Sequence, residues 1–78
     1  MPVFAEVRSG EWSIFMVGKD DTALKKDAAK LVGENKPCSV ITLTEDHVRS
    51  LSLKDVDKGI SAIRDRGLSS FVLSSNGD

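Results

Sequence analysis

Cys38-Ser39-Val40-Ile41-Thr42-Leu43-Thr44 is the densest β-branched run in the chain, midway along it, with the two best helical segments on either side. Val, Ile and Thr are stiff about their first side-chain torsion and suit a pleated strand better than a helix. The run is expected as an interior strand. The rest of the chain is read outward from it.

Upstream, residues 3–17 alternate in the manner of a β-hairpin. A two-residue turn at Ser9-Gly10 uses glycine for the positive φ that such turns require. It sets Val7 opposite Trp12, Ala5 opposite Ile14 and Val3 opposite Met16 on a wholly apolar face. Arg8 then faces Glu11, Glu6 faces Ser13, and Phe4 faces Phe15 on the other. The apolar face is expected to form the core. The second begins with an ion pair and turns aromatic, as a partly solvated face does.

Between hairpin and central run, Asp20, Asp21 or Thr22 can cap a helix over about Thr22 to Val32. Leu24, Ala28, Leu31 and Val32 fall on one stripe, and Lys25, Lys26 and Lys30 elsewhere. Gly33 or Asn35 can end it, and Pro37 prevents its resuming. Downstream, Thr44 is expected to cap a short helical turn, because Val48 and Leu51 match a helical spacing that strand alternation would split. Ser52-Leu53-Lys54-Asp55 resembles a capping box opening a second full helix with Val56, Ile60 and Ile63 buried. Gly59 allows close packing on the sheet, and Gly67 stops the helix beyond Arg64 and Arg66. Leu68 to Ser74 is the last strand.

The order ββαβ(α)αβ gives an α+β fold, expected as an α/β two-layer sandwich with a four-stranded mixed sheet. Right-handed crossovers would set strands two, three and four parallel, with the first strand of the hairpin antiparallel. Residues 1–74 are expected to form one domain and 75–78 a flexible tail.

Composition bounds the function. Seventy-eight residues hold one core, since so short a chain buries only about 60% of its unfolded surface. With 40% hydrophobic and 29% charged residues it is of globular type, and it has no apolar run long enough to span a bilayer. No secretory signal is evident, so a cytoplasmic location is expected. The lone Cys38 excludes an internal disulfide and a cysteine-based zinc site. Net charge is −1, with both signs interspersed, unlike the clustered cations of a duplex-binding protein.

Candidate chemistry is sparse. Asp20, Asp21, Glu45, Asp46 and His47 fall in the two loops that the expected parallel strands would bring to one sheet edge. Carboxylates there could hold Mg²⁺ or Mn²⁺, and His47 could act as an acid or base. The same residues also serve helix starts without any ligand. Gly18-Lys19 lacks the earlier glycine and the following Ser/Thr of a phosphate loop. Cys38 heads a strand without a basic neighbour, the setting of a structural thiol.

The favoured candidate is the face bearing Phe4, Glu6, Arg8, Glu11, Phe15 and Val17. Left uncovered by helices, it would be an aromatic patch of the kind that binds a partner or a second copy of the chain. Covered, it would be the second half of the core. The reading is a non-enzymatic protein-binding module without a cofactor, whose size and lack of motif fit a phage or mobile-element inhibitor of a host protein complex. A metal-assisted enzyme at the acidic edge is the alternative. Weak single-stranded nucleic-acid binding, with Phe4 and Phe15 as stacking platforms, is a third.

Overall fold

A computed structural model describes residues 1–33 and 35–73. The expected tail lies outside them. The described elements are β1 (Val3–Ser9), β2 (Trp12–Gly18), α1 (Asp21–Val32), β3 (Ser39–Leu43), α2 (Glu45–Ser50), α3 (Val56–Arg66) and β4 (Ser70–Leu73). The fold is α+β, as expected, but the sheet is antiparallel throughout and ordered β3-β1-β2-β4.

The hairpin forms with its turn one residue later than expected. Ser9 pairs with Trp12, Val7 with Ile14, Ala5 with Met16 and Phe4 with Val17, so Gly10 and Glu11 make the turn. Gly10 has φ +61°, and Glu11 is not among the residues with positive φ. A positive φ at the first central residue alone is the type II′ pattern. The Ser9-Gly10 alternative with a type I′ turn would have forced a positive φ on serine as well, so a glycine in first position decides the register. The two-residue shift leaves each side chain on its expected face but changes every cross-strand partner. Trp12, expected in the core beside Val7, lies at the strand end and is 46% exposed.

The hairpin offers two free edges, and each later strand takes one. β3 adds to β1, with Phe4 opposite Leu43, Glu6 opposite Ile41 and Arg8 opposite Ser39. β4 adds to β2, with Ser70 opposite Gly18 and Phe15 opposite Leu73. The Ser9 hydroxyl donates to the Pro37 carbonyl at 2.9 Å, holding the entry to β3 beside β1. The run Cys38–Thr44 is therefore an edge strand, and the interior strands are the two of the hairpin. β2 and β3 point the same way without touching. The connection from β3 through α2 and α3 returns to the end of the sheet that it left, so β4 runs against both. The expected mixed sheet gives way to an antiparallel one because β1 lies between β2 and β3, which share a direction without pairing, and β4 joins the far edge of β2 running against it.

Helices cover both faces, which makes three layers rather than the expected two. On one side Leu24, Ala28 and Val32 of α1 pack with Ala5, Val7 and Met16. On the other, Val48 of α2 and Val56 and Ile63 of α3 pack with Phe4, Val17 and Leu73. Within α1 the sheet selects Leu24, Ala28 and Val32 and leaves Leu31 exposed.

Local chemistry sets the helix ends. Asp20 accepts from the Ala23 N–H at 2.7 Å and Thr44 from the His47 N–H at 3.1 Å, so both are side-chain N-caps. The capping box at Ser52–Asp55 does not form. Ser52 and Asp55 take left-handed φ values of 55° and 66°, and Asp55 makes no side-chain cap bond. Both residues lie in the short connection between α2 and α3. At the far end of α3, Gly67 has φ 73° and its N–H donates to the Ala62 carbonyl, as its sequence position suggested.

Candidate functional site

Phe4, Glu6, Arg8, Phe15 and Val17 do share one face of the hairpin, with Glu11 in its turn, but α2 and α3 divide that face. Phe4 is 2% exposed and Val17 wholly buried, so neither belongs to a surface patch. Phe15 is half-buried against the same cluster. This corrects the expected aromatic patch, because its Phe4–Val17 end lies under the helices. The paired stacking platforms needed for a single strand of nucleic acid disappear with it.

The Arg8 end stays open. Glu6 and Arg8 are two residues apart on β1, hence on the same face. Arg8 Nε donates to Glu6 Oε2 at 3.0 Å and Nη2 to Oε1 at 3.1 Å, a bidentate pair. Arg8 therefore pairs along its own strand, not across the turn with Glu11. The Glu6 side chain is 16% exposed and that of Arg8 59%. The Arg8 hydrogen bond and charge hold the Glu6 carboxyl below its usual value against some desolvation, with smaller help from Ser13 and His47. The sheet extends this open face through Ser13 opposite Arg8 on β2 and Ile41 opposite Glu6 on β3. Ile41 is 38% exposed.

The acidic edge does not converge. The loops after β2 and β3 lie at one end of the sheet, but α1 and α2 then pack on opposite faces. Asp20 is spent on its cap, Asp21 pairs with Lys25 at 2.9 Å and Glu45 with Arg49 at 3.0 Å. Asp46 and His47 are exposed in the first turn of α2. Among the described residues no three His, Cys, Asp or Glu side chains gather to hold a metal ion. Cys38 is half-buried against the cluster under α1.

Two arrangements were not legible in the sequence. Arg49 bridges α2 and α3, with Nη2 2.8 Å from Asp57 Oδ1 as well as its bond to Glu45. The cleft of about 390 Å³ beside it is lined by Arg49, Leu53, Asp55, Val56, Asp57 and Lys58. Its guanidinium is already committed to two carboxylates.

Asp27 of α1 is the other. Its Oδ2 accepts from the Ser69 and Ser70 hydroxyls, both at 2.6 Å, and so ties α1 to the start of β4. These bonds, Ser69 first, hold the Asp27 carboxyl below its usual value, and Lys30 and Lys26 add to the effect. A depressed folded value stabilises above the unfolded pKa and loses that contribution as pH falls through the folded one. Stability is therefore expected to fall as pH drops below about 4, the ordinary aspartate value, and through the depressed folded one. Asp27→Asn keeps an acceptor but loses the charge, so urea unfolding should show lower stability near neutrality and a shallower acid decline. Equal slopes for the two proteins would remove Asp27 from the account.

No protein-family model, curated protein or solved structure matches the chain.

Proposed function

We propose that the chain is a protein-binding module that acts without catalysis, contacting its partner through the open end of the α2/α3-side face. The observation that carries this reading is Ile41, an exposed branched side chain on the rigid sheet directly opposite the half-buried Glu6 of the Glu6–Arg8 pair. An apolar contact beside a preformed bidentate charge pair suits a protein surface, because the apolar group supplies area and the pair sets orientation. The sheet needs no rearrangement to present it, which lowers the ordering cost of binding.

The role that suits so small a module is inhibition by occlusion, in which it covers a working surface of a larger host complex, as a phage or mobile-element inhibitor does. Arg8→Glu and Ser13→Glu place new negative charge on this face without touching either core cluster. Co-purification from lysate should lose at least about tenfold of a specific partner with either variant, a loss near 1.4 kcal/mol. Lys25→Glu, on α1 and the opposite side of the sheet, should recover as much as the native chain. Equal recovery with all four proteins, each folded by circular dichroism, would overturn the reading.

A further inference from the structure

β3 is the outermost strand beside β1 and pairs with no other described strand. The hairpin register decides which of its backbone groups are free. Ser9 and Trp12 close a two-residue turn as a hydrogen-bonded pair, so Val3, Ala5 and Val7 also bond to β2. Phe4, Glu6 and Arg8 then bond to β3, through Leu43, Ile41 and Ser39. Val40 and Thr42 are left with their N–H and C=O groups directed outward. Edge strands are ordinarily blunted by a lysine, a proline, a bulge or a covering element. Ser39–Leu43 has no charge and no proline, and its paired residues run without a bulge.

We propose that this edge is closed by a second copy of the chain, its β3 paired antiparallel across a two-fold axis at Ile41. In that register Val40 exchanges both backbone bonds with Thr42 of the second copy, and Thr42 with its Val40. Every outward group within the strand is thereby satisfied. Ile41 meets its own counterpart at the non-hydrogen-bonded position, where side chains lie closest.

Charge selects this arrangement. Lys36 precedes β3, whereas Glu45 and Asp46 follow it. Antiparallel pairing brings the cationic end of each copy against the anionic end of the other, and parallel pairing would set like against like. Sterics agree, because each α2 leaves from the C-terminal end of β3 and the two helices fall at opposite ends of the seam. The interface is isologous and closes on itself. Its axis stands normal to the sheet, so the two Glu6–Arg8 faces lie on the same side. The pairing rests on the strand edge and holds whether or not that face binds a partner.

Sedimentation velocity from micromolar to millimolar chain tests it. The native protein should approach twice its 8.4 kDa mass. Thr42→Pro deletes an outward donor and spares every bond to β1, and an edge strand tolerates proline in that orientation. It should remain folded and dissociate roughly tenfold more readily or worse, having lost a hydrogen bond on each side of the axis. Ile41→Lys, which sets two cations face to face at the axis, should be monomeric even if Thr42→Pro fails to fold. Arg8→Glu should dimerise like the native chain, which separates this proposal from the partner-binding one. A native chain that stays monomeric at millimolar concentration overturns the proposal, including the case in which Thr42→Pro abolishes capture of another protein's strand. A dimer that Ile41→Lys leaves intact overturns it too.

Discussion

Replacing Phe4 by alanine is expected to cost about 3–5 kcal/mol of stability. Phe4 lies on a central strand, 2% exposed, between Val17 and Leu43 in the sheet register and within the cluster formed with Val48, Val56, Ile63 and Leu73. Truncation removes the ring's transfer free energy and leaves a cavity beneath α2 and α3, whose Val48, Val56 and Ile63 pack in the same cluster. At about 0.05–0.15 kcal/mol per residue, a domain of this size has roughly 4–12 kcal/mol in total. The variant should therefore lose from about a quarter of its stability to all of it. Urea unfolding followed by circular dichroism would show the midpoint falling with the slope unchanged. Leu31→Ala, on the exposed face of α1, should stay within about 0.5 kcal/mol of the native chain. Equal midpoints for Phe4→Ala and the native protein would mean that α2 and α3 do not cover this face.

Gly59→Val should be comparably damaging, for the opposite reason. Gly59 sits in α3, where the helix meets the sheet. A β-carbon there would lie 2.9 Å from Val17 Cγ1, 3.0 Å from Phe71 Cδ1 and 3.1 Å from Leu73 Cδ2. All three atoms belong to strand side chains that line the packed layer, and valine at 17 has little freedom to turn away. Overpacking a core by one or two methyl groups costs about 1–3 kcal/mol, and valine's branch puts Gly59→Val at or beyond the upper end. Alanine adds only the β-carbon and recovers about 1 kcal/mol of helix propensity over glycine, so Gly59→Ala should cost roughly 0–2 kcal/mol. The ordering is the test: Val far below Ala, and Ala close to native. A Gly59→Val protein as stable as Gly59→Ala would show that α3 stands off the sheet.

Much of the local structure was legible. Thr44 was readable as a cap because Val48 and Leu51 shared a helical spacing, and it does cap α2. Gly67 was readable as a left-handed stop after Arg66. Each depends on a few neighbouring residues, and the structure realises them in place. What failed was longer in range. Cys38–Thr44 was read as interior because β-branching reports strand formation, yet the same property says nothing of how many neighbours a strand has. Its Ser39, Thr42 and Thr44 were the available signal, since a strand buried on both sides seldom carries so much polar side chain.

The expected patch is divided into a covered and an open end for one reason. Alternation assigned Phe4, Glu6, Arg8, Phe15 and Val17 to a common face, and they share it. Which portion of that face a helix covers depends on where α2 and α3 come to rest. The acidic residues met the same limit. Strand direction put their loops at one end of the sheet, but the side taken by each following helix separated them.

Taken alone, the amino-acid order determined the secondary elements, the two faces of the hairpin and most helix termini. These follow from torsional preferences, period and capping, all of which act over a few residues. Only the tertiary structure decided the all-antiparallel order, the placing of helices on both sides of the sheet, and the exposure of β3 at its edge. Those depend on which free edge of the hairpin each later segment reaches and which face it must bury. That competition among distant apolar surfaces is decided by packing the whole chain at once.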